Sequence, residues 1–264
     1  MRSYAPMSGL SICIAGATGW TGSALVPAVV AADDLELRSA VSRSAAGGEL
    51  GGAPVHATVA EALAGVDVLI DYTSHDAVLH HALAAIERRV AVVIGTSGLT
   101  AADYERIDAA ARERGVGVIA AGNFSLTAAM AQAAALLAAR HLPSWEVIDY
   151  ASAGKADAPS GTARELAERL GPPHVERPVG DTAGAPEARG ATVAGTQVHS
   201  LRLPSFSVST EVVFGLPDER LSIRHDAGSS SAPYVAGTLL AARAAPGRVG
   251  LVRGLDTLLL GPDG

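Results

Sequence analysis

The stretch Leu10–Val30, LSICIAGATGWTGSALVPAVV, decides the fold. Its opening run, Leu10–Ala15, is largely apolar, the pattern of a strand buried on both faces. Glycines follow at 16, 19 and 22, and then a helix-like segment. Strand, glycine turn and helix in that order form the setting of a dinucleotide fingerprint, spaced here G-x-x-G-x-x-G rather than the commoner G-x-G-x-x-G. Gly16 allows a tight turn, Gly19 lets backbone approach a pyrophosphate, and Gly22 lets the helix pack close to the strand. Thr18, Trp20 and Thr21 lie in the same turn. The N–H groups and dipole of the helix start suit phosphate charge. Pro27 works against a regular helix, since it removes one hydrogen bond.

Reading outward, Leu35–Val41 forms a second strand that ends in Ser42-Arg43-Ser44. A dinucleotide fold reads the adenosine ribose at this place. An acid there accepts from the free hydroxyls of NAD, whereas Ser42 with Arg43 accommodates a 2′-phosphate. NADPH is therefore the expected cofactor, with NADH as the alternative; an ordinary solvated arginine is the competing reading of Arg43. A loop, Ala45–Pro54, and a short helical segment near Val59–Ala64 come next. Strands over Val66–Asp71, Val90–Ile94 and Val116–Ala120 then alternate with helices over His75–Arg88 and Thr100–Arg114. That alternation predicts a parallel sheet covered on both faces, with ligands beyond the carboxyl ends of its strands. Tyr72, Thr73, Gly95, Thr96, Ser97, Ala121, Asn123 and Phe124 lie at those ends, mostly small or hydroxyl-bearing, and stand as the nicotinamide side of a cofactor site.

The 264 residues suit one large domain or two smaller ones, and 48% hydrophobic with 18% charged residues reads as globular. No apolar run reaches membrane-spanning length without Gly, Pro or charge, and the start has no signal-peptide layout, so a cytoplasmic enzyme with no membrane partner is the simplest reading. The formal net charge of −7, without a basic block, argues against nucleic acid. Cys13, alone, cannot form an internal disulfide. His80 and His81, adjacent on a helix, point different ways, and no metal is expected. His199 and His225 fall in strands and read as satisfied structural histidines.

Residues 1–9 read as a loose leader. Leu126–His141 is an alanine-rich helix. From Trp145 the character changes: Trp145–Ala151, Thr192–Leu201, Ser207–Phe214 and Leu221–His225 read as strands of a mixed sheet, and Gly171–Gly190 as a long loop or lid. Ala232–Ala244 is a last helix that returns to the first domain. The expected fold is α/β, a Rossmann-like parallel-sheet domain (1–125 with 233–264) plus an α+β substrate domain (126–232). Within the latter, Gly154-Lys155-Ala156-Asp157-Ala158-Pro159-Ser160-Gly161-Thr162-Ala163 opens a helix, with Pro159 at its first turn. Ser160, Gly161 and Thr162 offer N–H groups and hydroxyls as a carboxylate cradle, and Lys155 adds positive charge. A capped helix beside a surface lysine is the plainer reading of the same residues.

The run KADAPSGTA resembles the signature of the dihydrodipicolinate reductase family of bacterial lysine synthesis, and the resemblance covers nearly the whole chain. IAGATGWTG looks like the family's glycine turn, VLIDYTSHDAV its third strand and following helix start, VIGTSGL its G-T-T-G loop and AAGNFSL its A-N-F-S loop. HSLRLPSFSVSTEVVFG and LSIRHDAGSS are similar to its C-terminal sheet. The resemblance implies NAD(P)H-dependent reduction of a cyclic imine or enimine, a two-domain subunit and a homotetramer built through the substrate-domain sheets. It also implies Lys155 as the catalytic lysine, Gly161 with Thr162 as the substrate-carboxylate site, and Ser152 at a substrate-binding position. Three departures stand out. Trp20-Thr21 replaces a common Arg-Met. Ala151 and Ser152 replace the two histidines of an H-H-x-x-K arrangement, the supposed proton donor and a carboxylate binder. Ser209-Thr210 stands where one branch has His-Gln before Glu211. Tyr150 is a substitute donor on one reading and a packing residue on the other. Three functions follow: a cyclic-imine reductase of altered substrate, a genuine 4-hydroxy-tetrahydrodipicolinate reductase, and a non-catalytic NADPH-binding protein.

Overall fold

The computed structural model describes residues 9–175, 182–204 and 208–261. Expectations placed on 1–8, on 176–181 within the long loop and on Ser207 lie outside those residues. The chain divides into two compact units, Met1–Phe124 with Ser231–Leu258, and Ser125–Ser230 with Leu259–Gly264.

The first unit is built on an eight-stranded sheet in the order β13-β7-β6-β5-β1-β2-β4-β3. β1 (Leu10–Ala15) and β2 (Leu35–Val41) form where the apolar pattern places them. β5 (Val68–Asp71), β6 (Ala91–Ile94) and β7 (Gly117–Ala120) are buried at every position, as central parallel strands must be. All pairings are parallel except β3–β4. From β1 the chain steps outward to β2 and later returns to β5 on the opposite side, so a topological switch lies at the end of β1. The segment 45–54 is no plain loop: β3 (Glu49–Leu50) and β4 (Ala53–His56) extend the edge as a hairpin.

Helices cover this sheet. α1 (Gly22–Val30) carries Pro27 at its sixth position without breaking. α2 (Val59–Ala62) starts on a capping box between Thr58 and Glu61. α3 spans His75–Glu87, and α4 (Ala101–Arg114) runs from a Thr100–Asp103 box to Gly115 in the left-handed conformation, φ 67°. Cys13, Leu69, Val92, Val118, Ile86 and Ile107 lie in one core at 1% exposure or less. After the second unit, α7 (Ala232–Ala244) packs on β5 and β6, and β13 (Gly250–Arg253) pairs with β7 as a parallel edge strand that periodicity did not reveal. α8 (Leu255–Leu260) ends the described chain.

The second unit holds a five-stranded sheet, β12-β11-β8-β10-β9. β8 (Trp145–Ala151) pairs in parallel with β10 (Thr196–Arg202) and antiparallel with β11 (Val208–Leu216), so the sheet is mixed as expected. β12 (Glu219–Asp226) is an exposed edge. β9 (Ala191–Val193) and β10 form a hairpin through Ala194-Gly195, where one longer strand is expected from the sequence. α5 (Leu126–Ala139) and α6 (Gly161–Leu170) lie on one face, over Trp145, Val147, Val198, Val212 and Phe214.

Candidate active site

In the first unit the glycine turn does what its spacing demands. Gly16 has φ +80°, and a Cβ there would lie 2.2 Å from the Tyr72 carbonyl oxygen. A Cβ on Gly22 would lie 2.1 Å from the Gly16 carbonyl oxygen, so α1 starts directly against the turn. Gly16 N–H and Ala17 N–H both donate to the Val41 carbonyl, and the Thr18 and Ser42 hydroxyls meet at 2.7 Å. The turn is thereby tied to the end of β2. Ser42 is buried and also bonded to Ser44, while Arg43 beside it is exposed. Thr21 is buried, whereas Trp20 is 56% exposed and meets the Tyr234 ring edge-on at 5.6 Å.

The three further loop ends converge. The Tyr72 ring lies against Gly95, where a Cβ would be 2.2 Å from the ring, and edge-on to Phe124 at 6.2 Å. Its hydroxyl is engaged with Thr238 at 2.7 Å, and burial pushes its pKa well above the ordinary tyrosine value. Tyr72 thus enters the site through ring and backbone, not as a free hydroxyl. Ala121 N–H donates to the Ile94 carbonyl, and Asn123 and Phe124 are buried. Ser97 is exposed.

Behind these loops lies a group the sequence reading missed. Asp71, with no solvent exposure, ends β5. Its Oδ1 accepts from Thr73 N–H at 3.0 Å, Thr73 Oγ1 at 2.7 Å and Thr96 Oγ1 at 2.7 Å; its Oδ2 meets His81 Nδ1 at 2.8 Å. The signal was present, since Asp71 is the acid that closes an otherwise apolar strand.

In the second unit, α6 presents its start to the Lys155 turn. Ser160 Oγ accepts from Ala163 N–H, and Ser160 N–H donates to Asp149 Oδ2 at 2.9 Å. Ser160, 2% exposed, is therefore a helix cap: its N–H and one hydroxyl lone pair are used inside the protein. Gly161 and Thr162 form the first turn. Asp149 also accepts from Arg202 Nη2 at 2.9 Å and Ser200 Oγ at 3.1 Å, and Arg202 reaches the Asp157 carbonyl. This pair, with the carboxylate buried and the guanidinium partly exposed, braces the 157–160 segment. Lys155 N–H donates to the Ser152 carbonyl, closing a turn, and Lys155 Nζ pairs with Asp157 at 2.7 Å.

No imidazole stands where the resemblance expects two. Ala151 is fully buried. Tyr150 lies on the opposite face of β8 from Asp149 and Ala151, as strand alternation requires. Its hydroxyl donates to Glu211 at 3.1 Å, and burial with the Glu211 carboxylate raises its pKa. That makes Tyr150 a poor proton donor. His225 meets Thr127 at 3.0 Å and burial lowers its pKa; His199 meets Glu146 at 2.7 Å.

Two family models together span these features: dihydrodipicolinate reductase, N-terminus, over residues 10–124, and dihydrodipicolinate reductase, C-terminus, over 122–259. The 4-hydroxy-tetrahydrodipicolinate reductase of Moorella thermoacetica is 35% identical over 263 residues, covering 95% of this chain and 98% of its own length. That of Nocardia farcinica is 36% identical over 256 residues, with coverage of 95% and 98%. The chain belongs to the dihydrodipicolinate reductase family. A solved structure, dipicolinate-bound dihydrodipicolinate reductase from Paenisporosarcina sp. TG-14, matches with a TM-score of 0.75 at 26% identity, covering 95% of this chain and 99% of that one. As a family member the protein is an NAD(P)H-dependent oxidoreductase acting on a C=N bond. Its glycine turn suits such a dinucleotide: the strand–turn–helix order, the positive φ of Gly16 and the Gly22 contact are those a pyrophosphate site needs. No helix among the described residues is long and apolar enough to cross a membrane.

Proposed function

We propose that this protein reduces 4-hydroxy-tetrahydrodipicolinate, with NADPH preferred over NADH. The observation that carries the reading is the intact KADAPSGT segment: Lys155 on its turn and Gly161-Thr162 opening α6, held by Asp149 and Arg202. Full-length relatives of that activity support it. The cofactor supplies hydride to the carbon of the C=N bond. The Gly16–Gly22 turn holds its pyrophosphate, and exposed Arg43 beside Ser42 favours a 2′-phosphate. Thr73, Thr96 and the Ala121–Phe124 loop serve the nicotinamide end. At the other site Gly161 and Thr162 bind a substrate carboxylate, and Lys155 neutralises charge beside it.

The new amine nitrogen needs a proton. General acids contribute about 10²–10⁴-fold in such steps, and the chain offers no histidine at 151 or 152 for it. An acceptor that binds as the iminium needs no donor at the moment of hydride attack. Ala151 and Ser152 also favour a second reading, in which the acceptor is another carboxylate-bearing cyclic imine. By the family's architecture we further propose a homotetramer joined through the face of the mixed sheet opposite α5 and α6, where Glu146, Ile148 and Tyr150 are half-exposed.

NADPH oxidation followed at 340 nm tests these readings. Turnover with freshly generated 4-hydroxy-tetrahydrodipicolinate is expected. Turnover only with other cyclic imine carboxylates moves the assignment to the second reading, and none with any of them leaves a cofactor-binding protein.

A further inference from the structure

Asp71 does more than the core asks of it. The other three residues of β5 are Val68, Leu69 and Ile70, all fully buried, and the strand needs no acid to pair or pack. A carboxylate with no solvent exposure is costly unless its lone pairs are met. Here they are met by four donors from three elements: two from Thr73 after β5, one from Thr96 after β6, and His81 from α3. Thr96 Oγ1 in turn accepts from Thr73 N–H at 2.8 Å, so the two loops share one hydrogen-bond set. His81 has a side chain only 17% exposed, and facing an acceptor-only carboxylate it holds its proton on Nδ1.

We propose that Asp71, backed by His81, is a positioning residue for the reaction: it fixes Thr73 and Thr96 in a single arrangement for the nicotinamide end of the cofactor. The assignment rests on the reading that these two loops hold that end. Geometry and charge predict opposite results on removing the acid. A buried anion repels cofactor phosphates, so loss of charge alone tightens binding. The amide introduced by Asp71→Asn sets an NH₂ group against one of the existing donors and unseats either a threonine or His81, so loss of geometry weakens it.

The test measures Asp71→Asn, His81→Ala, Thr73→Val and Thr96→Val in the full-length protein. Each is titrated with NADPH and with 2′-phospho-ADP-ribose, which keeps the adenosine and pyrophosphate but lacks the nicotinamide. Asp71→Asn is expected to weaken NADPH about tenfold while the fragment changes by less than about twofold. His81→Ala follows in the same direction by a smaller factor. ¹⁵N spectra show the Nδ1–H tautomer of His81 in the wild type, and its retention or loss in Asp71→Asn tells whether a threonine or His81 is the group unseated. Equal weakening of both ligands, tighter NADPH binding or no change overturns the proposal. If the threonine variants weaken NADPH but Asp71→Asn does not, only the positioning role fails; if none of the four does, the loop assignment itself fails. Should Asp71→Asn not fold, His81→Ala decides by the same comparison of NADPH with the fragment.

Discussion

Lys155 and Asp157 sit 2.7 Å apart with about a third of each side chain in solvent. An exposed pair of this kind contributes little to stability, so Asp157 yields the ammonium to a substrate carboxylate at small cost. Lys155→Ala should lower kcat/KM by about 10²-fold while leaving NADPH affinity nearly unchanged. Steady-state kinetics with a separate fluorescence titration of cofactor checks both halves. Arg43→Ala should raise KM for NADPH by about tenfold and leave that for NADH almost unmoved. Cys13 offers a check on the core. Burial pushes its thiol up to about 12 from the ordinary 9.0. The native thiol therefore stays protonated between those values while an unfolded one ionises, so its contribution to stability is intact below 9 and is lost as pH rises through that window. A thiol reagent at pH 8 should find no reactive group in the native protein and one per chain after denaturation.

Among the elements, α6 depends most on a few polar contacts. Its cap, Ser160, and the Asp149 carboxylate of its brace are buried, and Arg202 is mostly so. Asp149→Ala leaves the Arg202 guanidinium only the Leu201 and Asp157 carbonyls and should cost about 2–3 kcal/mol, read as a fall in the thermal midpoint. Ser160→Ala, which removes only the cap, should cost about 1 kcal/mol. Legibility followed the strength of local patterning. β1, β2, β8 and α7 appear with the bounds their apolar periods and turn residues predict, and Thr100 and Gly115 mark α4 by caps alone. β5, β6 and β7, also short, show as apolar runs, whereas β3, β4 and β13 are only partly buried and lack that signal, and β9 is merged with β10 in one expected strand. Asp71, His81, Asp149 and Arg202 were missed for a related reason. Apart from the local Asp71–Thr73 bonds, their contacts lie ten to more than fifty residues apart along the chain, which spacing does not reveal.

For the whole molecule, the first unit is discontinuous: α7 and β13 come from beyond residue 230. Thr238 partners the Tyr72 hydroxyl, and Gly237 fits against the Phe124 carbonyl, where a Cβ would be 2.0 Å from the oxygen. A chain ended at Phe124 keeps the whole glycine turn but leaves β7 as a raw edge and Tyr72 without its partner. It is expected to lack a cooperative thermal transition and to bind NADPH poorly, which calorimetry and titration will show. Sedimentation of the intact protein should give four times the 26.6 kDa chain mass if the proposed tetramer forms.

The same discontinuity sets an order of events at the ribosome. The 125–230 segment emerges whole and can close on itself while the nucleotide-binding half still waits for its last helix and edge strand. Synthesis must pass Arg253 before that half is finished, so a nascent chain with residues up to about 230 outside the ribosome carries a second unit able to fold and a first sheet still lacking its edge strand.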